Sequence, residues 1–148
     1  MLITISDIIS RIQTDSEKLG IIVYDPASSL EIDRFEFLHD LKLPNDFKVF
    51  YKFCNGFESA EYLFRIIPLE EMLQNYLNSS GENSIAEYLV YSDMWLLQVN
   101  TDDSEDYTIY MEMNKEVVVL TKSFPEFLDK FLTNGVFSSG GLYDWRNP

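Results

Sequence analysis

The stretch LKLPNDFKVFYKFCNGF, residues 41–57, has the clearest structural pattern in the chain. A proline suits the first turn of a helix, apolar residues at i, i+3, i+4 and i+7 form one face, and Asn-Gly tolerates the left-handed backbone that ends a helix. These features fall on Pro44, on Phe47, Phe50, Tyr51 and Cys54, and on Asn55-Gly56. The segment therefore predicts an amphipathic helix with a buried aromatic face.

Two more helices are predicted before this segment, each beginning at a capping pair. Thr4 with Asp7 begins the first helix, and Ser28 with Glu31 begins the second. The first is expected to bury Ile5, Ile8, Ile9 and Ile12 and to end at Gly20. The second is expected to bury Leu30, Phe35, Leu38 and Leu41.

After residue 57 the apolar pattern changes to that of strands. A strand at Tyr62–Ile67 and a short helix from Pro68 to Leu77 precede predicted strands at Tyr88–Tyr91, Trp95–Asn100, Tyr107–Met113 and Glu116–Thr121. The short links, among them an acidic loop at Asp102–Asp106 and a turn at Asn114-Lys115, indicate antiparallel hairpins. A last helix is capped by Ser123 and expected to bury Phe124, Phe127, Leu128 and Phe131 before Asn134-Gly135.

This order of elements predicts an α+β fold, in which N-terminal helices and a C-terminal helix pack on a mainly antiparallel sheet of about five strands. The length of 148 residues suits a single domain spanning 1–148. Its core is expected at about residues 28–134, and the Gly-rich tail at 138–148 is expected to be irregular.

The same segments resemble the SMI1/KNR4 superfamily, also called SUKH. In that family a helix with a glutamate precedes a leucine-proline pair, an aromatic helix ends in asparagine-glycine, and a helix of the type sF-x-x-F closes the domain. The matching residues are Glu36, Leu43, Pro44, Phe47, Phe50, Asn55, Gly56, Ser123, Phe124, Phe127 and Leu128. The resemblance covers about residues 30–132, and Phe57 stands where a second glycine is frequent. It implies a non-enzymatic role: bacterial members are mostly immunity proteins that neutralise a toxin, and fungal members are regulatory interaction proteins.

Negative charge is concentrated in the middle of the chain. Residues 56–114 hold twelve of the 25 Asp and Glu residues and one of the 11 Lys and Arg residues, Arg65, so they carry −11 of the net −14. Such a field attracts cationic partners and repels nucleic acid and anionic membranes. We therefore expect a basic protein partner, with neither nucleic acid nor membrane.

Composition and the N-terminal sequence indicate a folded protein and suggest its cellular location. Hydrophobic residues make up 46% of the chain and aromatics 15%, which is too apolar for a disordered acidic tail. The N-terminus lacks a basic signal-peptide region, and Asp7 interrupts its apolar residues, so a cytoplasmic location is expected. Cys54, the single cysteine, excludes an intramolecular disulfide. A monomer is the default expectation.

Catalytic and metal chemistry find little support in the sequence. His39 and Cys54 are the obvious nucleophile-and-base pair, but Cys54 lies on the apolar face of its helix and His39 near the end of another. The acidic stretch 102–106 has the oxygen ligands that calcium prefers, yet Tyr107 stands where an EF-hand needs glycine. Both a solvated hairpin loop and weak cation binding stay open for this stretch. No cofactor is expected.

Acids interleaved with large aromatics provide the best candidate for a docking face, because tyrosine and tryptophan anchor interfaces at low entropic cost. The candidate contact residues are Glu58, Glu61, Glu87, Asp93, Trp95, Asp102, Asp103, Glu105, Asp106 and Tyr107. Strand alternation allows Trp95, Tyr91 or Tyr110 to be core residues instead.

Three functions follow in order of preference. The first is an immunity protein that occludes a cognate toxin domain, expected to be a nuclease because nucleic-acid grooves are lined with Lys and Arg. The second is a regulatory scaffold of the SMI1/KNR4 type. The third, a carboxylate-based metal-dependent hydrolase, requires a pocket in which acids with perturbed pKa values converge.

Overall fold

The computed structural model describes residues 2–59, 63–72, 83–89, 93–113 and 115–145. The helices that lie wholly within the described residues are α1 (Ile5–Asp15), α2 (Ser29–His39), α3 (Asn45–Phe53), α4 (Phe124–Asn134) and α5 (Leu142–Trp145). Its strands are β1 (Ile21–Val23), β2 (Phe57–Ser59), β3 (Phe64–Ile66), β4 (Asn83–Tyr88), β5 (Asp93–Asn100), β6 (Asp103–Met113) and β7 (Glu116–Thr121). The α+β class is confirmed.

The strands form one antiparallel sheet whose spatial order, β1 to β7, is the order of the chain. The prediction of about five strands is too low, because the described residues form seven. The additional strands, β1 and β2, have three residues each, so they are too short to show an alternating pattern. They are recognised by their pairing, in which Ile21 faces Ser59 and Val23 faces Phe57.

Local capping signals place the helix starts correctly. The Thr4 hydroxyl accepts from the Asp7 N–H at 3.2 Å, and the Asp7 carboxylate accepts from the Thr4 N–H at 3.1 Å. The same reciprocal pair joins Ser28 and Glu31 at the start of α2. Hydrogen bonds to Thr4 hold the pKa of Asp7 below its ordinary value. Both predicted capping boxes are confirmed, although α1 ends at Asp15 and not near Gly20.

The α3 and α4 faces are also as predicted and form the centre of the core. Phe47, Phe50 and Tyr51 of α3 are buried, and so are Phe124, Phe127, Leu128 and Phe131 of α4. The rings of Phe47 and Phe124 stack with centroids 3.8 Å apart. The Tyr51 hydroxyl donates to the Ile67 carbonyl oxygen at 2.7 Å, which satisfies its polar end inside the core.

The predicted face of α2 is correct at Phe35 but wrong at Leu30 and Leu38. The helix buries Ile32, Phe35 and His39, whereas Leu30 and Leu38 are exposed. Residues 32, 35 and 39 also have helical spacing, so the sequence contains two competing stripes. Packing against β4 selects the second one, because the His39 Nδ1 lies 2.6 Å from the Asn83 Oδ1 and the His39 ring stacks on Phe35 at 3.9 Å.

Strand β4 lies earlier in the chain than its predicted range, Tyr88–Tyr91. It begins at Asn83 and ends at Tyr88, and residues 90–92 lie outside the described part. Its polar residues resemble a turn in the sequence, but each has a partner across the sheet or from a helix: Asn83 contacts His39, and the Ser84 hydroxyl donates to Met94 Sδ at 3.3 Å. Residues 69–72 begin the predicted helix after Pro68, and its continuation to Leu77 lies outside the described residues.

The burial of His39 predicts a pH-dependent stability. Desolvation lowers its pKa below the ordinary 6.5, so the unfolded chain takes up the proton at a higher pH than the folded protein does. The free energy of unfolding should therefore fall as pH drops through about 6.5. We expect His39→Gln to have a flatter profile between about pH 7 and pH 5 in urea titrations. Parallel profiles for the two proteins would contradict this role for His39.

Candidate protein-docking surface

Nine of the ten residues predicted to contact a partner lie in four separate places. Glu58 and Glu87 lie on β2 and β4, Trp95 and Tyr107 lie in the core, Asp93 lies beside α5, and residues 102–106 lie at the link between β5 and β6. Glu61 lies outside the described residues. The structure therefore does not assemble the whole set into one surface.

Glu87 is the buried member of a partly buried ion-pair cluster around Arg65. The residue is 3% exposed, and its Oε2 lies 2.9 Å from Arg65 Nε and 2.7 Å from Arg65 Nη2. Glu71 binds the other side of the guanidinium through bonds of 2.8 and 2.6 Å. Burial prevents Glu87 from contacting a partner, so its prediction as a docking residue is corrected: Glu87 holds β3 and β4 together.

Glu58 lies at the edge of the same cluster, directly opposite Arg65 in the sheet. It accepts a hydrogen bond from the Tyr24 hydroxyl at 2.9 Å. Burial, and then this bond to Glu58, raise the pKa of Tyr24 to about 12. Glu58 is half-buried and has this internal partner, so it is a poorer docking candidate than an exposed acid.

Trp95 and Tyr107 are core residues, and their prediction as contact residues is also corrected. Trp95 packs against Phe64 and Phe127, with centroids 5.4 and 6.2 Å away. The Tyr107 hydroxyl accepts from the Phe124 N–H at 2.7 Å, at the start of α4, and burial raises the pKa of Tyr107 to about 12. Strand alternation with the buried Leu97 and Ile109 is the sequence signal that places both side chains inside.

Asp93 anchors the C-terminal segment to the sheet. It is half-buried and accepts a hydrogen bond from the Tyr143 hydroxyl. Tyr143 belongs to α5, a helix of a single turn within the C-terminal tail, for which the sequence predicts an irregular structure. The ring of Tyr143 also stacks on Phe137 at 5.3 Å. Asp93 thus has a structural contact that sequence distance concealed.

Within the acidic stretch 102–106, Asp102 lies in a turn, whereas residues 103–106 begin a strand, so the prediction of a loop is wrong for those four residues. The turn consists of Thr101 and Asp102, and β6 begins at Asp103. The Asn100 side chain closes the turn by accepting from the Asp102 N–H at 2.9 Å and donating to Asp106 at 3.0 Å. Register shifts here, since Val99 faces Tyr107 but Asn100 faces Asp103. The irregular pairing keeps the four acids of this stretch exposed.

Three of these acids have internal partners, and for Asp103 the partner is local: its Oδ1 accepts from the Glu105 N–H at 3.0 Å. The Glu105 carboxylate accepts from the Asn45 N–H at 2.9 Å, at the start of α3. Asp106 lies 3.7 Å from Lys122 Nζ, and its pKa is lowered by the bond from Asn100 and by Lys122. Among the described residues, neither the Asp102 nor the Asp103 carboxylate bonds to another helix or strand, so these two exposed acids are the ones best placed to meet a partner.

A groove of about 620 Å³ lies beside these acids, between the end of α2 and the β5–β6 turn. It was not predicted from the sequence. Its lining residues from α2 and the chain just after it include Phe37, Asp40 and Leu41, and those from the β5–β6 hairpin include Val99 and Asp102. Phe37 is 83% exposed. The sequence could have indicated this exposure, because Phe37 does not share the helix face of the buried residues 32, 35 and 39.

The two acidic groups are far apart on the sheet. Glu58, Arg65, Glu87 and Met94 form a row of facing residues across β2, β3, β4 and β5. Asn100, at the acidic turn, is six residues beyond Met94 along β5, or about 20 Å at about 3.3 Å per residue. The acids of the row already have internal partners, Arg65 for Glu87 and Tyr24 for Glu58. The acidic turn and its groove are therefore the candidate docking surface.

The geometry gives little basis for catalysis by Cys54. Burial raises the pKa of its thiol to about 12, and a protonated thiol is a poor nucleophile. Within the described residues, no group of three or more His, Cys, Asp or Glu side chains is arranged to hold a metal ion, the acidic turn included. In that same part of the chain, no helix is long and apolar enough to cross a membrane.

One of two comparisons with known proteins gives a match. A comparison with curated proteins gives no match. The model of the SMI1 / KNR4 family (SUKH-1) matches residues 26–130, an interval that contains α2, α3, strands β2 to β7 and the first part of α4. Because this match covers well over half of the chain, the protein belongs to the SMI1/KNR4 family (SUKH-1).

Proposed function

We propose that this protein is a cytoplasmic immunity protein that binds a cognate toxin domain and blocks it by occlusion, without catalysis of its own. Membership of the SUKH-1 family supports this role. The observation that carries the proposal is the exposed acidic turn of β5 and β6, within a segment of net charge −11. A dense carboxylate field attracts a basic surface and competes with phosphate for it, so a nuclease domain suits this protein.

Co-expression tests the proposal. A toxin domain encoded next to this gene should arrest growth alone, and co-expression of this protein should restore growth through a stable stoichiometric complex. Rescue by a catalytic amount of protein, or rescue without a complex, would contradict occlusion. A complex that leaves the toxin active would favour a regulatory scaffold instead.

Electrostatic steering predicts a salt-dependent association rate. We expect the association rate constant to fall at least about tenfold between about 20 mM and about 500 mM NaCl, while dissociation changes less. Asp102→Asn with Asp103→Asn should reduce the low-salt rate, because both carboxylates are exposed at the turn. Stopped-flow measurements give both rates.

Glu17→Gln with Asp33→Asn is the matched control, since it removes two exposed acids from the helical part of the chain. A salt-independent rate would refute steering even if binding were confirmed. An equal effect of the two double variants would show that net charge matters and that the position of the turn does not.

A further inference from the structure

We propose that the groove between the end of α2 and the β5–β6 turn is the docking site for a basic segment in which an aliphatic side chain is flanked by Lys or Arg. Phe37 is its apolar anchor. This inference rests on the proposed function in one respect, the basic protein partner, and specifies where and how that partner binds.

Phe37 is exposed because α2 packs a different face on the core. The helix buries Ile32, Phe35 and His39 on another side, which leaves the Phe37 ring in solvent. A single exposed aromatic is ordinary on a protein surface. Phe37 differs because it lines a groove whose other apolar residues, Leu41 and Val99, are partly buried and packed against the core. An accessible aromatic ring next to apolar residues that are held by the core is suited to anchor a partner in an interface.

Asp40 supplies a charge at a position where a carboxylate is unfavourable for stability. It ends α2 in the left-handed conformation, with φ of 50°, and its N–H bonds to the Phe37 carbonyl oxygen at 3.3 Å. Glycine or asparagine suits this backbone better than aspartate, and a negative charge opposes the negative end of the helix dipole. The residue therefore has a property, its charge, that the fold does not require.

The charge of the groove selects the partner. Asp40 and Asp102 are exposed on opposite walls, while Glu36 in the lining is already paired with Lys48 at 3.3 Å. Lys42 is the one cation among the described lining residues. An incoming cation flanked by an aliphatic group would satisfy both the acids and the apolar floor. A second copy of this chain is a poor occupant, because each copy carries −14.

The proposal is tested with a defined probe and without the toxin. The capped synthetic peptide KLRKLK is titrated into the isotope-labelled protein and compared with KSRKSK, which has the same charge but no leucine. Assigned amide resonances report the site. We expect KLRKLK to shift the amides at 37, 40–42 and 99–104, with a dissociation constant on the order of a millimolar, and KSRKSK to bind much more weakly.

Phe37→Ala should weaken KLRKLK binding by about tenfold or more, since the burial of one aromatic ring is lost. Leu30→Ala is the matched control: Leu30 is 78% exposed on the same helix, two turns earlier, and is not in the groove lining. It should leave binding within about twofold. Asp40→Asn should weaken binding without loss of thermal stability, which separates a binding role from a structural one.

Shifts that map elsewhere, equal binding of the two peptides, or equal effects of Phe37→Ala and Leu30→Ala would overturn the proposal. The outcomes are distinct from failure of the proposed function. Growth rescue that survives Phe37→Ala would leave the immunity role intact and refute this groove. Peptide binding at the groove without neutralisation of any toxin would retain the surface and refute the immunity role.

Discussion

Replacing Gly56 with alanine is expected to reduce the free energy of unfolding by about 3 kcal/mol or more. Gly56 has φ of 98°, and a Cβ at this position would collide with the Ile66 carbonyl oxygen and lie 3.2 Å from its carbonyl carbon. Strand β3 would have to move away from β2, whose pairing of Phe57 with Ile66 begins at this point. Urea unfolding followed by circular dichroism measures the loss.

Gly20→Ala is the control for Gly56→Ala. Gly20 also has a positive φ, 68°, but a Cβ there meets no atom within 4 Å among the described residues. It should cost about 1 kcal/mol, the conformational term alone. Similar losses for the two variants would show that backbone conformation, and not the approach of β3, makes glycine necessary at residue 56.

Replacing Arg65 with methionine is expected to cost about 3–5 kcal/mol, because it leaves the buried Glu87 carboxylate without its cation. The Glu87 side chain is 4% exposed, and Glu71 also loses its partner. Arg65→Met with Glu87→Met should recover most of this loss, since an apolar pair no longer buries an uncompensated charge. Chemical denaturation of the single and double variants gives the coupling.

The exposed ion pair of Lys122 with Asp106 serves as the control for Arg65. Its side chains are 70% and 47% exposed, so Lys122→Met should change the free energy of unfolding by less than about 1 kcal/mol. A small loss for Arg65→Met would contradict the structural role of Glu87. The Glu87 carboxylate would then not need Arg65 for stability, and Glu87 would again be a candidate for partner contact.

Features coded within a few residues could be predicted from the sequence. The capping pairs at Thr4 and Ser28 and the buried faces of α3 and α4 are correct, because each depends on contacts three or four residues apart. Strands β6 and β7 end and begin on either side of the predicted turn Asn114-Lys115, of which residue 114 lies outside the described residues. Helix α2 shows the limit of this reasoning, since its sequence allows two apolar faces. The face that is buried includes His39, whose contact is Asn83 of a strand distant in the chain.

The pair Asn55-Gly56 does not end α3, although its residue types predict a helix end. The helix ends at Phe53, and Cys54 is its extended cap residue. Asn55 accepts from the Leu69 N–H at 3.0 Å and donates to Glu70 at 2.8 Å, while Gly56 allows β3 to pass. Both roles join residues ten or more positions apart in the chain, so no local pattern reveals them.

The sequence by itself determined the fold class, the family signature and the sign of the charge, because short-range spacing and composition contain that information. Only the tertiary structure decided where the charge acts. Sheet register places Glu58 and Glu87 around Arg65, while Asp102 and Asp103 lie beside the groove at Phe37. Register and helix docking depend on pairings between residues distant in the chain, and these separate one acidic segment into a structural cluster and an exposed surface.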